Sequence, residues 1–105
     1  MKNLSSNEVK SLIDNSDNIC LLDVREIWEF EKCHIEGSIL IPMQSIPDNL
    51  SQLDPQQETI VICHHGIRSR VVANFLEQHG FNQVINLAGG VDAWSHDVDQ
   101  SMAKY

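Results

Sequence analysis

Three short stretches of the chain are rich in β-branched and other apolar residues: Ile19 to Leu22, Ile39 to Ile41 and Thr59 to Ile62. None of them alternates apolar with polar, which is the pattern of strands buried on both faces. A fourth run, Val84 to Leu87, fits less cleanly because Asn86 interrupts it. Between the runs the apolar spacing turns helical. Ser6 to Ile13 places Val9, Leu12 and Ile13 on one stripe, Ile27 to Cys33 is a second candidate, and Ser69 to His79 places Val71, Val72, Phe75 and Leu76 on a third stripe. Gly80 follows, where a residue at ease in the left-handed conformation commonly ends a helix. Strands alternating with helices over short connections predict an α/β domain with a mainly parallel sheet and right-handed crossovers. Pro42 to Gln57, containing Pro47 and Pro55, reads as a turn-rich connection with one short helix.

With 105 residues and 42% hydrophobic content the chain has material for one core, so residues 1–105 are read as a single domain. The opening MKNLSSNEVKSLIDNSDN is polar throughout; neither a signal peptide nor a membrane span is expected, and the expected location is cytoplasmic. Cys20, Cys33 and Cys63 form neither a paired framework nor a CxxC spacing, which points to reduced thiols. The balance of 15 acidic against 7 basic residues gives a net charge of −8, which repels phosphate backbones and anionic lipid surfaces, so no nucleic-acid or membrane partner is expected. The charge is nevertheless uneven. No acid lies between Glu58 and Glu77, while Arg68 and Arg70 place two of the three arginines in that interval. A buried strand and helix would lack acids, but buried segments also tend to lack arginine, so the cleared interval reads as an anion site.

The candidate chemistry lies in the same interval, ETIVICHHGIRSRVVANFLEQHG. Cys63 falls at the carboxyl end of a parallel strand, where open α/β sheets bind their ligands. The next helix is expected to begin at about Ser69, so His64 to Arg68 must turn the chain, and Gly66 permits a tight loop whose backbone N–H groups form an anion-binding nest. The positive end of that helix and Arg68 together favour a charged sulfur, and Cys63 is expected to be a reactive thiolate. Cys20, inside an apolar strand, reads as an inert core thiol. His64 and His65 read as residues of the pocket mouth that contact substrate or partner. Adjacent residues rarely converge on one ion and no other ligand cluster is evident, so no metal is expected. A thiolate ionised by its surroundings also needs no general base.

At this level the run ICHHGIRSRVVANFLEQHGFNQVINLAGGVDAW, together with LLDVREIWEFEKCHIEGSILIPM, resembles the rhodanese-like domain, and the likeness spans Leu4 to Trp94. The resemblance implies a five-stranded, mainly parallel sheet with helices on both faces. It implies a catalytic Cys63 that carries sulfane sulfur as a persulfide, and a substrate-binding loop of His64, His65, Gly66, Ile67, Arg68 and Ser69 whose amides cradle that sulfur and whose closing arginine is Arg68. No cofactor is implied. By the same likeness Asp23, Val24 and Arg25 are architectural and tie loops together, and His34, Ile35 and Gly37 mark the turn into the next strand. Gly89 and Gly90, with Asp92 to Trp94, match the last turn and helix; Trp94 is then core, and Trp28 is expected to cover the sheet edge. There are two departures. Cys33 stands where the family usually has glycine and Ile27 where proline is common; Cys33 is read as an exposed bystander rather than a resolving thiol.

The implied activity moves sulfane sulfur from a donor such as thiosulfate to a thiophilic acceptor, which is cyanide, a thiol or a protein. The alternative is a non-catalytic binding or persulfide-relay module for a protein partner. Protein tyrosine phosphatases and related cell-cycle phosphatases also set a cysteine before an arginine-closed loop, but their loop reads C-x5-R. Cys63 to Arg68 is C-x4-R, and a narrower ring of amides better suits one sulfur atom than a tetrahedral phosphoryl group.

Overall fold

The computed structural model describes residues 1–105. Its strands are β1 (Lys2–Leu4), β2 (Ile19–Asp23), β3 (Ile39–Leu40), β4 (Glu58–Ile62) and β5 (Val84–Leu87). They form one parallel sheet in the order β1-β5-β4-β2-β3. The helices are α1 (Ser6–Asn15), α2 (Ile27–Lys32), α3 (Ile67–Gln78) and α4 (Gly90–Asp97), with two 3-10 turns at Met43–Ser45 and Pro47–Gln52. No helix is long and apolar enough to cross a membrane.

Successive side chains of a strand point to opposite faces, and here each face has its own core. Leu22, Val61 and Val84 pack with Val72, Ala73 and Leu76 of α3, whereas Leu21, Ile60, Ile85 and Leu87 pack with Val9 of α1 and with Val91 and Trp94 of α4. Both faces of the sheet's centre are therefore covered, which is why β2 and β4 contain unbroken apolar runs. Trp94 is core, as expected. Local chemistry sets several element ends. Ser5 and Glu8 form a reciprocal capping box at the start of α1, with Ser5 Oγ accepting from Glu8 N at 3.3 Å and Glu8 Oε1 accepting from Ser5 N at 2.9 Å.

Several expectations need correction. The apolar pattern does not reveal β1, because only Leu4 of its three residues is apolar; it lies at the sheet edge and pairs with β5 alone. α3 begins at Ile67, two residues before the expected Ser69, because Gly66 takes a left-handed φ of 97° that turns the chain straight into the helix. The Pro42 to Gln57 connection holds two 3-10 turns rather than one helix. Cys33 is half-buried against the second core rather than an exposed bystander. Trp28 does not cover the sheet edge: it is 61% exposed and meets Tyr105 edge-on, with ring centroids 5.7 Å apart.

Candidate active site

Cys63 is the first residue beyond β4, and the loop it opens is pinned from both sides. Val91 and Asp92, in the first turn of α4, donate their N–H groups to the carbonyls of Cys63 and His64 at 2.9 and 3.0 Å. That approach requires a glycine at position 90, where a Cβ would lie 2.3 Å from the His64 carbonyl oxygen and 2.4 Å from that of Cys63. The Cys63 side chain is 1% exposed as a residue and meets two polar groups: the Gly66 N–H donates to Sγ at 3.0 Å, and Ser69 Oγ lies 3.2 Å away. Ser69, the expected start of α3, is thus a helix residue turned inward onto the sulfur. Its hydroxyl donates to Asn86 Oδ1, while Asn86 Nδ2 donates to Asn3 Oδ1 at 2.9 Å and to the Gly66 carbonyl at 3.2 Å. Asn86, the residue that spoiled the apolar pattern of β5, locks both Ser69 and the loop.

Arg68 is paired within the protein. Its Nη1 and Nη2 donate to Glu29 Oε1 and Oε2 at 2.7 and 2.8 Å. The cleared interval of the sequence is therefore not cleared in space, since α2 delivers a carboxylate to it. The Arg68 hydrogen bonds hold the Glu29 carboxyl at about 2, against burial, which pushes it up. The same pairing raises Arg68 above the ordinary arginine range. Behind this pair lies a second one. Arg25 Nε and Nη2 donate to Asp23 at 2.9 and 2.7 Å, Nη2 donates to the Cys33 carbonyl at 2.7 Å, and Nη1 donates to the Glu29 carbonyl at 3.3 Å. Burial disfavours the Arg25 charge, but its hydrogen bonds to Asp23 and Tyr105 outweigh it and raise the group. The expected architectural role of Asp23 and Arg25 fits this geometry.

Tyr105 joins the two pairs. Its hydroxyl accepts from Arg25 Nη1 at 2.7 Å and donates to Glu29 Oε2 at 2.9 Å. Burial pushes that phenol up to about 12, with Glu29 adding to the effect and Arg25 opposing it. The Tyr105 ring stacks on His64 at 4.0 Å, and His64 stacks on His65 at the same spacing. Burial, and then the neighbouring His65, hold His64 below the usual histidine range. Asp92 lies 3.8 Å from His65 Nε2, and the donor atoms of His64, His65 and Asp92 are all within 4.8 Å of one another. These three are the residues that could hold a metal ion, a grouping the sequence does not show because Asp92 is on α4, far along the chain from the two loop histidines. Ile67 is 72% exposed and Arg70 faces solvent, so neither side chain reaches Cys63. None of the three surface cavities is lined by Cys63. Glu29, Asn86 and Tyr105 were not singled out as site residues by the sequence. Of these only Asn86 carried a visible signal, a polar residue inside a strand.

Comparison with known proteins agrees with this fold. The rhodanese-like domain family matches residues 5–97. YrkF of Bacillus subtilis, provisionally named as a sulfur carrier protein, is 36% identical over 92 residues, which cover 88% of this chain and 50% of YrkF. The thiosulfate sulfurtransferase GlpE of Tolumonas auensis is 30% identical over 79 residues, covering 75% of this chain and 74% of GlpE. A crystal structure of a rhodanese-like domain protein from Staphylococcus aureus superimposes with a TM-score of 0.84 at 34% identity, covering 90% of this chain and 91% of that one. The chain thus spans half the length of one such relative and most of the others. It belongs to the rhodanese-like domain family.

Proposed function

We propose that this member of the family is a sulfurtransferase that carries sulfane sulfur as a persulfide on Cys63 and passes it to a thiophilic acceptor. The Cys63 thiolate attacks the outer sulfur of the donor; a new S–S bond forms as the old one breaks, and the leaving group departs with the electron pair. A thiol, cyanide or a protein thiolate then attacks the outer sulfur of the Cys63 persulfide and regenerates the thiolate. The observation that carries this reading is the position of Sγ, at the end of β4, with the Gly66 N–H at 3.0 Å and Ser69 Oγ at 3.2 Å. The Gly66 N–H can donate to a charged sulfur, so the sulfur is served both as attacking group and as leaving group. Incubation with a sulfane-sulfur donor followed by intact mass measurement should show the gain of one sulfur atom, reversed by cyanide or thiol and absent from Cys63→Ser. Sulfur retained by Cys63→Ser would move the chemistry to Cys20 or Cys33 and overturn the assignment.

A second reading, a persulfide relay for a protein partner, draws on the 1% exposure of Cys63 and the lack of a cavity lined by it. Steady turnover of thiosulfate with cyanide separates the two, because a relay loads Cys63 but shows no multiple turnover with these small molecules.

A further inference from the structure

Arg68 and Arg25, the pair behind it, are both matched by carboxylates. Arg25 is sealed against Asp23 with neither side chain exposed, and Arg68 has both Nη groups on Glu29. The full charges nearest the loop therefore cancel, and Asp92 adds a further carboxylate beside His65. This is a poor environment for a dianion. When a thiolate attacks thiosulfate, the incipient sulfite adds two negative charges to that of the attacking sulfur, and the cation that would offset them is already engaged. An organic persulfide, R–S–SH, makes a smaller demand, since its only charge at the reacting atoms is the one leaving on R–S⁻.

We propose that the Glu29–Arg68 pair sets the donor class, so that Cys63 takes sulfur from persulfides of low-molecular-weight thiols in preference to thiosulfate. The inference rests on Cys63 being the sulfur carrier. In the step, the Cys63 thiolate attacks the outer sulfur of R–S–SH, the Cys63 S–S bond forms and the donor S–S bond breaks. The donor leaves as R–S⁻ with the electron pair, and the proton stays on the transferred sulfur or passes to water. No external oxidant or reductant is required, because the transferred sulfur keeps its oxidation level. Glu29 contributes by holding Arg68 in a neutral pair; it is a specificity-determining residue and touches neither sulfur.

The test compares loading of Cys63 by glutathione persulfide and by thiosulfate in the wild type, Glu29→Gln and Glu29→Asp. In the wild type, kcat/KM should favour glutathione persulfide by about tenfold or more, the scale of one charge-assisted contact withheld from the dianion. Glu29→Gln releases Arg68 and should raise thiosulfate loading several-fold while leaving persulfide loading level or lower. Glu29→Asp keeps the charge and should keep the wild-type preference. A wild type that prefers thiosulfate overturns the donor assignment and leaves the sulfurtransferase reading standing. Parallel losses with both donors in Glu29→Gln, which leave the donor ratio at its wild-type value, would make Glu29 structural and also overturn it. Failure of both donors to load Cys63 would instead remove the sulfurtransferase reading itself.

Discussion

Asp23–Arg25 and Glu29–Arg68 are the same chemistry at two depths. The first pair has side chains 0% exposed on both sides, and every direction around the guanidinium is filled: by the carboxylate, two backbone carbonyls and the Tyr105 hydroxyl. The second pair has Glu29 at 4% but Arg68 at 34% exposure, so one partner meets water. A sealed pair cannot exchange its partner without leaving a bare charge in the interior, whereas a half-open one can. Depth thus separates a strut from a part that can govern chemistry. Asp23–Arg25 ties α2 and the end of β2 to Tyr105, and Glu29–Arg68 closes the loop around Cys63.

The strongest way to break this contrast is to truncate each arginine. Arg25→Met leaves Asp23 buried without a cation and should cost about 3 to 5 kcal/mol of unfolding free energy. Arg68→Met leaves Glu29 its Tyr105 and Glu26 N–H donors and lets water approach, so the loss should be about 1 to 2 kcal/mol. Chemical denaturation of both variants measures the difference. Equal losses would show that depth does not distinguish the pairs.

Acid should reach the half-open pair next. Folding lowers the Glu29 carboxyl from 4.5 to about 2, so its contribution is complete above the unfolded value and is lost as pH falls through the folded one. Discounted for screening through the exposed Arg68, that contribution is about 2 kcal/mol, withdrawn between roughly pH 4.5 and 2. Stability measured against pH should fall less steeply over this window in Glu29→Gln than in the wild type. An unchanged slope would mean that Glu29 does not gain from Arg68 what the geometry indicates.

Much of the frame was legible because it is written in local patterns. The apolar runs located β2, β3, β4 and β5 to within a residue or two, and the coincidence of strand end, cysteine, glycine and arginine marked the loop. The parts that escaped depend on distant partners. Glu29 and Arg68 are 39 positions apart, and Tyr105 lies beyond the stretch that resembles the family. β1 owes its place to pairing with β5, with Asn3 opposite Asn86, rather than to apolar content of its own. Asn86 is the instructive case: a polar residue buried in a strand must find partners, and its partners are the ones that hold the loop. Arg68 stands out in the sequence, but its partner does not, because no position between Glu58 and Glu77 supplies an acid.

The smallest effect tests whether the two pairs are independent at all, since Tyr105 is their shared hydrogen-bonding side chain. Tyr105→Phe removes one acceptor from Arg25 and one donor from Glu29, but Arg25 keeps Asp23 and two carbonyls while Glu29 keeps Arg68 and the Glu26 N–H. Neither charge is left unpaired, so the expected loss is about 1 kcal/mol. The ring still stacks on His64, which should preserve the loop and leave loading of Cys63 within a few-fold of wild type. A double-mutant cycle of Tyr105→Phe with Arg68→Met should give a coupling below about 1 kcal/mol, as expected for a shared but secondary partner. If Tyr105→Phe instead destabilised the protein as much as Arg25→Met, the hydroxyl would be the joint of a single network. Asp23–Arg25 and Glu29–Arg68 would then be one structural unit, and the donor preference could not be altered at Glu29 without weakening the strut behind it.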